Sequence, residues 1–437
     1  MFRFKLFRSG VCVVLLVSGF ISSAAAQYIL RDLGTLGTDK NNPGLVWSVS
    51  TGINNLGQVT GYSYDPAAGT DRAFVYSNGV MTSLGSWRYS ISTGINDSGQ
   101  LSGYGVPTQQ YELDNGANVT AFISTAGVMT DLGTLLEPLA RVTSVGNGIN
   151  NSGQVAGYSN AGPGCGSGSA CVTHAFISTA GVMTDLGPLG GPVPGPYQNS
   201  SVAMAINNYG HVVGESQTGD PIAGAHRAFE YSNGAMKDLG VLAGNISAAL
   251  AINDAGQIVG FSSTTDDFAD YVNIAGAGYP RFYHAFLYSA GTMTDIGTLG
   301  GQVSFATGIN SSGDVVGWST LAGDDAWSYF LYTNDTGMVD LNSLLPLGSR
   351  WDAWSAITFG PDINDSGQIT GTGYIDGTYH AFLMSPSNVS GVPEPPIIGL
   401  LLAGLVAMGL VARNRGTQAV AVTSMPPAAF VARSGPI

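Results

Sequence analysis

One short sequence is repeated seven times along the chain and constrains its fold more than any other feature. Its clearest copy is Ile252-Asn253-Asp254-Ala255-Gly256-Gln257-Ile258-Val259-Gly260. Repeats at intervals of about 40–60 residues indicate an array of similar supersecondary units rather than unrelated domains. The motif asparagine recurs at spacings of 42, 54, 57, 46, 57 and 54 residues, at Asn54, Asn96, Asn150, Asn207, Asn253, Asn310 and Asn364.

The motif predicts a hairpin. Asparagine at the first position and glycine at the fourth suit a type I turn in which the glycine adopts the left-handed conformation. Two adjacent apolar, mostly β-branched residues follow the turn, as in Ile258-Val259. A strand with such residues on both faces belongs to a sheet that is covered on both sides.

The second half of each unit is clearest at His284-Ala285-Phe286-Leu287-Tyr288, followed by a glycine turn and Asp295-Ile296-Gly297. His284, Phe286 and Tyr288 share one strand face. The unit resembles the HAF repeat of bacterial extracellular proteins, although Arg, Thr or Ser replaces the histidine in some copies. The resemblance covers nearly the whole body and implies no activity. The motif phenylalanines are Phe74, Phe122, Phe176, Phe229, Phe286, Phe330 and Phe382.

Two hairpins per unit predict a four-stranded sheet, and seven such sheets can bury both faces by packing around an axis. We therefore predict an all-β, seven-bladed β-propeller over residues 27–388, with a β-sandwich pair or loose array as the alternative. The Asp-Leu-Gly strand first appears at Asp32, before the first unit, and no equivalent follows Phe382. The strand from Tyr28 to Leu33 is therefore expected to complete the seventh blade and close the ring.

The N-terminus has the pattern of a secretory signal peptide over residues 1–26. Arg3, Lys5 and Arg8 precede an apolar stretch over residues 11–21, and small residues at Ala24 and Ala26 form a cleavage pattern. Export of the mature chain is the expectation. An uncleaved anchor helix is the alternative.

The C-terminus combines a Pro-Glu-Pro sequence, an apolar stretch and basic residues. The apolar stretch predicts a transmembrane helix over 396–412, with the body outside the cytoplasm. This order, over 389–415, resembles the PEP-CTERM sorting signal of Gram-negative bacteria, which implies an exosortase-type processing partner and an association with exopolysaccharide or biofilm. A low-complexity tail over 416–437 continues where such signals usually end, so a plain single-span membrane anchor is the alternative. The sorting-signal residues are Pro393, Glu394, Pro395, Arg413 and Arg415.

Charge and cysteine content narrow the function classes. The formal net charge of -14 argues against nucleic acid as a partner, because nucleic-acid binding depends on Lys and Arg. Outside the cytoplasm, Cys165 and Cys171 are expected to form a disulfide within one loop, with two unpaired thiols as the alternative. A metal site is less favoured there, because two ligands do not complete a tetrahedron.

The connections between strands differ most between copies, and variable loops on a rigid scaffold commonly carry binding sites. Long insertions in the second and fifth units combine aromatic rings with carboxylates, which suit a glycan. Solvated loop acids are the alternative, no cofactor is predicted, and no defined motif supports Ca²⁺. The sequence favours an exported, envelope-anchored binding or structural module for extracellular glycan or a surface protein. The alternative is a glycosidase or lyase with acids on the long-loop face. The candidate ligand-binding residues are Tyr111, Glu112, Asp114, Asp266, Asp267, Asp270 and Tyr271.

Overall fold

The chain divides into two units, residues 1–387 and residues 388–437. Within the ranges that the structure describes, no helix is long and apolar enough to cross a membrane. The expected signal peptide, the helix expected over 396–412 and the tail after it lie outside these ranges. The computed structural model describes residues 28–38, 46–85, 87–107, 119–136, 143–161, 172–190, 200–218, 226–265, 271–274, 277–280, 282–345, 353–354, 360–375 and 377–387.

The described chain is a seven-bladed β-propeller of antiparallel four-stranded blades, as predicted. The strand nearest the axis is the first of each blade in chain order. After Tyr28–Asp32 (β1), blades 1 to 3 comprise Ser48–Ile53 (β2), Val59–Asp65 (β3), Thr70–Ser77 (β4), Val80–Ser83 (β5); Tyr89–Ile95 (β6), Leu101–Val106 (β7), Thr120–Thr125 (β8), Val128–Gly133 (β9); and Ser144–Ile149 (β10), Val155–Ala161 (β11), Val172–Thr179 (β12), Val182–Gly187 (β13).

Blades 4 to 6 repeat this order, and a separate two-stranded hairpin is inserted in blade 5. Their strands are Ser201–Ile206 (β14), Val212–Gln217 (β15), His226–Ser232 (β16), Ala235–Asp238 (β17); Ser247–Ile252 (β18), Ile258–Ser263 (β19), the inserted Tyr271–Ile274 (β20) and Ala277–Pro280 (β21), Tyr283–Ser289 (β22), Thr292–Asp295 (β23); and Gly300–Ile309 (β24), Val315–Leu321 (β25), Trp327–Thr333 (β26), Gly337–Asp340 (β27). A 3₁₀ turn, Leu341–Leu344, follows blade 6.

Blade 7 is built from both ends of the body, which confirms the predicted ring closure. Its strands are Ala353–Trp354 (β28), Asp362–Ile363 (β29), Ile369–Ile375 (β30) and Thr378–Pro386 (β31). Both β28 and β29 pair with β30, so the innermost strand is in two pieces. The outermost strand is β1, whose Tyr28 lies opposite Pro386 and whose Asp32 lies opposite Phe382 of β31.

The repeated turn has the predicted geometry. In blade 1 the carbonyl of Asn54 accepts a hydrogen bond from the backbone N–H of Gly57 (3.0 Å), and the N–H of Asn54 donates to the carbonyl of Gln58 (3.0 Å). Gly57 has a φ of 73°, in the left-handed region that glycine enters without a steric penalty. The recurring turn glycine is therefore a requirement of the backbone.

The second recurring glycine, four residues later, is required by a close approach. A register shift between Ser50 and Gly52 bends the inner strand of blade 1. A Cβ at Gly61 would consequently overlap the carbonyl oxygen of Val49. The cross-strand partner of Gly61 is Phe74, which is completely buried. In blade 2 a Cβ at the equivalent Gly103 would also lie 2.6 Å from the ring of its partner Phe122, so the glycine leaves room for the aromatic ring.

The motif asparagines form a closed ring of hydrogen bonds around the axis. In each blade the Nδ2 of the asparagine donates to the backbone carbonyl of the asparagine in the next blade. Blade 7 donates back to blade 1, and all seven asparagines are at most 6% exposed. The donor–acceptor distances are 2.9 Å for Asn54 to Asn96, 2.9 Å for Asn96 to Asn150, 3.1 Å for Asn150 to Asn207, 3.2 Å for Asn207 to Asn253, 2.9 Å for Asn253 to Asn310, 3.4 Å for Asn310 to Asn364 and 2.9 Å for Asn364 to Asn54.

A second ring runs beside the first, one residue later in the motif. There a side-chain oxygen of one blade accepts from the backbone N–H of the preceding blade, as in Asn55 N–H to Asp97 Oδ1 (2.9 Å). Six of these seven links form among the described residues, and the missing one falls at Ser311, which has no Oδ1. The residues of this ring are Asn55, Asp97, Asn151, Asn208, Asp254, Ser311 and Asp365.

The histidine of the His-Ala-Phe sequence pairs with the aspartate of the outermost strand of its own blade. The Nδ1 of His174 lies 2.9 Å from Asp185, and that of His284 lies 2.7 Å from Asp295. In blade 7 the partner of His380 is Asp32 of β1, at 2.9 Å. This histidine–aspartate contact therefore joins the two ends of the body.

The motif asparagine can be tested in blade 1. Substitution Asn54→Ala removes hydrogen bonds to Asn96, Gln58 and Leu56. At roughly 0.5–1.5 kcal/mol for each of these four bonds, the loss of stability should be about 2–6 kcal/mol. Urea unfolding followed by circular dichroism measures it. Leu56→Ser, at an exposed position of the same turn, is the control. Equal midpoints for the two variants would contradict the role of the ring.

The ring-closing contact should depend on pH. Burial opposes ionisation, but hydrogen bonds from His380 and from the Gly34 N–H lower the pKa of Asp32 below its usual value. Its contribution is therefore present above about pH 4 and is lost as the pH falls below that value. Because the pair is partly exposed, Asp32→Asn should cost less than about 1 kcal/mol at pH 7, and this cost should shrink as the pH falls below about 4.

Asp238→Asn is the matched control for Asp32→Asn. Asp238 makes the same type of bond to a glycine N–H, from Gly240 (2.7 Å), but Arg227 replaces the histidine of its blade. Thermal unfolding from pH 3 to pH 8 compares the two variants. If the Asp238 variant loses as much stability at pH 7 as the Asp32 variant, the histidine pair is not the cause.

Candidate functional site

The two tight turns of each blade lie on one face of the propeller, and the longer connections lie on the other. The latter is called the long-loop face below. Among the ligand residues predicted from the sequence, Tyr271 begins the inserted hairpin of β20 and β21 in blade 5. The other six predicted ligand residues and the cysteine pair lie outside the described residues: Tyr111, Glu112, Asp114, Asp266, Asp267, Asp270, Cys165 and Cys171.

One position on the second strand of each blade varies in chemistry while its neighbours do not. It follows the close-approach glycine, and its side chain points toward the next blade, near the long-loop end of the strand. Tyrosine occupies it in blades 1 to 3, an acid in blade 4, and other aromatic residues in blades 5 and 6. We call these residues the belt: Tyr62, Tyr104, Tyr158, Glu215, Phe261, Trp318 and Thr372.

The belt residues of blades 1 to 3 form a cluster with an acid. Asp71 is near the start of β4, one position after the connection from β3. Tyr89 begins β6, and its hydroxyl hydrogen-bonds that of Tyr104. We call these five partly buried residues the tyrosine cluster: Tyr62, Asp71, Tyr89, Tyr104 and Tyr158.

The tyrosine cluster keeps its hydroxyl groups protonated. Burial, followed by the proximity of Tyr104 and the charge of Asp71, raises the pKa of Tyr62 to about 12. Burial and the same neighbours also raise the pKa of Tyr89, and burial raises that of Tyr158. At neutral pH these phenols are therefore uncharged. Tyr89 donates its proton to Tyr104, whereas the hydroxyls of Tyr104 and Tyr158 can donate hydrogen bonds to a ligand.

The acid of the cluster has an unused acceptor. Burial raises the pKa of Asp71. Its Oδ1 is buried and has no hydrogen-bond partner in the structure. A buried polar atom without a partner costs free energy, so such atoms often mark places where another molecule binds. The cluster thus combines aromatic rings and hydroxyl donors with one buried, unsatisfied carboxylate oxygen.

A second aromatic group lies between blades 5 and 6. The rings of Phe305 and Trp318 stack with centroids 4.5 Å apart and an interplanar angle of 12°. The ring centroids of Phe261 and Phe305 are 4.4 Å apart. Those of Phe261 and Tyr283 are 5.3 Å apart, and Tyr283 directly follows the blade 5 insertion. Ring contacts within this group fill the gap between the two blades, so it is less polar than the tyrosine cluster.

Glu215 separates the two aromatic groups in the belt. Burial raises its pKa, and the imidazole of His226, 3.8 Å away, partly offsets this effect. Among the described residues, no group of three or more His, Cys, Asp or Glu side chains lies close enough to hold a metal ion.

The belt was not identified from the sequence, although a signal for it exists. In the motif Gly-x-Ser or Gly-x-Gly of the second strand, the flanking residues stay small while the middle residue changes from tyrosine to glutamate, phenylalanine, tryptophan and threonine. A position that varies in chemistry while its neighbours stay small is not fixed by the packing of the repeat. Only the structure shows that this position faces the next blade.

No family model matches the chain, and no curated protein matches it. Similar solved structures include an oligogalacturonate lyase in complex with manganese, at 10% identity over 83% of this chain and 97% of that chain, with a TM-score of 0.46. The β-propeller domain of the trilobed protease from Pyrococcus furiosus is 9% identical over 67% of this chain and 82% of that one, with a TM-score of 0.36. Trypanosoma rangeli sialidase is 10% identical over 80% of this chain and 61% of that chain, with a TM-score of 0.33. These similarities concern the fold alone.

The unsatisfied acid of the tyrosine cluster should lower stability at neutral pH. Because folding raises the pKa of Asp71, its ionisation disfavours the folded state. The protein therefore has its full stability below about pH 4 and loses part of it as the pH rises through the raised pKa. Asp71→Asn should therefore increase the melting temperature at pH 7.5, by on the order of 2 °C for each kcal/mol recovered. Calorimetry from pH 4 to pH 8 should show the difference shrinking in acid.

The exposed Asp335, which lies in the turn between β26 and β27, provides the control. Asp335→Asn removes the same charge from the protein without changing a buried group. A similar rise in melting temperature for both variants would show that the reduced net charge, and not the unpaired Oδ1 of Asp71, is responsible.

Proposed function

We propose that this protein is an exported, envelope-anchored binding module that holds extracellular polysaccharide on its long-loop face at blades 1 to 3. The observation that supports this proposal most directly is the tyrosine cluster, with its unsatisfied Asp71 Oδ1. The HAF-like repeats, the expected signal peptide over 1–26 and the expected sorting signal over 389–415 are consistent with it.

The chemistry of the tyrosine cluster suits a glycan. Aromatic rings provide flat apolar surface for the C–H faces of a sugar, and a tyrosine adds a hydroxyl at its edge. The hydroxyls of Tyr104 and Tyr158 donate to ring and hydroxyl oxygens, whereas Asp71 accepts from a sugar hydroxyl. A neutral or amino-substituted polysaccharide is preferred over an anionic one, because the protein carries a net charge of -14.

In this proposal, the loop residues predicted from the sequence extend this surface. The connection that contains Tyr111, Glu112 and Asp114 begins directly after β7, the strand that carries Tyr104. In this proposal these residues add contacts along the same sugar chain, which would explain why the second-unit insertion is rich in aromatic and acidic residues.

A glycan array tests the proposal on residues 27–390, read for both retention and cleaved product. We expect retention of neutral or amino-substituted polysaccharides without product. Asp71→Asn and Tyr104→Ala should each weaken retention about tenfold or more, since each removes hydrogen bonds to the ligand. Tyr209→Phe, on the exposed turn of blade 4 on the opposite face, should leave retention unchanged.

The other outcomes discriminate among alternatives. Release of shortened or unsaturated product would favour a glycosidase or lyase with acids on the long-loop face. Absence of both retention and product would count against a glycan ligand and leave a structural or protein-binding role. Retention that survives both cluster substitutions would place the glycan elsewhere on the propeller.

A further inference from the structure

The propeller axis contains two cavities that are distinct from the tyrosine cluster. The first, of about 180 Å³, lies at the tight-turn face and is lined by the two rings of motif residues. The second, of about 390 Å³, lies deeper and is lined by the innermost strands of the blades. The isoleucine before the motif asparagine lines both cavities in blades 1 to 4. The volume of the second cavity falls in the range of small-molecule sites.

One carboxylate enters the wall of the deeper cavity where the repeat has only small residues. Asp362 stands two positions before its motif asparagine, and the other six blades have glycine or alanine there: Gly52, Gly94, Gly148, Ala205, Ala251 and Gly308. The inner strands approach closely at this level. A Cβ added to Gly148 would lie 3.2 Å from the Cα of Ala205, and one added to Gly308 would lie 2.8 Å from Asp362 Oδ1. The repeat geometry does not require an acid at this position.

The carboxylate is held rigidly but its charge is not neutralised. Asp362 Oδ2 accepts the backbone N–H of Ile53 of blade 1 (3.1 Å), and Oδ1 accepts its neighbour Ile363 N–H (2.9 Å). A carboxylate has about four acceptor sites, so two remain. Among the described residues that line the cavity, Asp362 is the one ionisable residue. A charge removed from water is costly without a partner of opposite charge.

The rest of the wall has a polar part and an apolar part. The hydroxyls of Thr51, Thr93 and Thr307 each donate to a carbonyl of the next blade, at 2.8, 2.6 and 2.7 Å, so they can act only as acceptors toward a ligand. Met204 of blade 4 and Leu250 of blade 5 occupy the equivalent positions without a polar group. The cavity therefore offers oxygen acceptors on one part of its wall and apolar side chains on another.

We propose that the deeper axial cavity binds a small alkylammonium ion. The ammonium group hydrogen-bonds the free acceptor sites of Asp362, and the alkyl chain packs against Met204 and Leu250. An ammonium group supplies several N–H donors and one positive charge, which match the acceptors and the single negative charge of the wall. This proposal is independent of the glycan site, because it uses other residues of the propeller.

The proposal predicts a pH dependence of binding. Burial raises the pKa of Asp362 to about 6 despite its two backbone hydrogen bonds, and only the ionised form attracts an ammonium ion. Strands β2, β24, β25 and β30 pack against β29. The only ionisable side chain on these four strands is that of Tyr374, a phenol at the far end of β30. Affinity should therefore rise between pH 5 and pH 7 and then level off.

Isothermal titration calorimetry and ligand-observed NMR on the full chain, with n-butylammonium as the probe, test the proposal. We expect saturable binding at pH 8 that is about tenfold weaker at pH 5, because one pH unit below a pKa of 6 leaves about a tenth of the carboxylate ionised. The neutral isostere n-butanol should bind at least tenfold more weakly than n-butylammonium. Absence of saturable n-butylammonium binding at pH 8 would overturn the proposal.

Two substitutions separate the charge from the fold. Asp362→Ala reproduces the residue that blades 4 and 5 already carry, and Asp362→Asn keeps the shape and one acceptor. Both should lower the affinity for n-butylammonium at pH 8 at least tenfold while the circular dichroism spectrum is retained. Asp365→Asn, on the other side of the isoleucines, should leave the affinity unchanged. Unaltered binding by Asp362→Ala, or an equal loss in Asp365→Asn, would refute the assignment.

Discussion

The side chain of the motif asparagine is the interaction on which the rest of this propeller depends. Within its own blade, Asn54 Oδ1 accepts from the Gln58 N–H and shapes the inner turn. Between blades, its Nδ2 donates to the carbonyl of Asn96. The position therefore needs a donor and an acceptor on the same short side chain, a combination that an ionised aspartate lacks. The same bond, from Asn364 to Asn54, joins the last blade to the first and closes the circle.

The neighbouring position has a weaker requirement and a looser sequence. It has only to accept one backbone N–H from the preceding blade, so asparagine at Asn55 and aspartate at Asp97 serve equally well. Serine at Ser311 still donates its backbone N–H to Asp365 (2.8 Å), even though it cannot accept through an Oδ1. The number of simultaneous hydrogen bonds thus explains why one motif position is invariant within the chain and the next is not.

Those parts of the fold that are used seven times could be predicted from the sequence. The turn glycine, the close-approach glycine and the buried phenylalanine recur because each blade needs the same backbone geometry. The displaced Asp-Leu-Gly strand at Asp32 was sufficient to predict ring closure, which the pairing of β1 with β31 confirms. The rings themselves could not be predicted, because the sequence does not show which atoms of neighbouring blades meet at the axis.

The candidate sites escaped prediction for the opposite reason. Tyr104 and Asp71 come from different blades and have no recognisable spacing, and only the packing of blade 1 against blade 2 brings them together. Sequence reasoning instead chose Asp266, Asp267 and Tyr111, because insertions attract attention by their length and composition. The belt residues are on regular strands, where hydrophobic side chains are ordinarily attributed to the core.

Two classes of acid in this propeller act on its stability in opposite directions. The aspartates paired with histidine, such as Asp32 and Asp185, have lowered pKa values and stabilise the fold above about pH 4. They are partly exposed, so each contributes less than about 1 kcal/mol.

Asp362 has a pKa raised from 3.8 to about 6, which corresponds to a cost of about 3 kcal/mol once the pH exceeds 6. This single acid can therefore offset the gain from the three histidine pairs. Alanine fills the same position in blades 4 and 5 without such a cost, so the repeat itself does not require the carboxylate. A positively charged ligand in the axial cavity does account for it, because the ligand would supply the missing counter-charge.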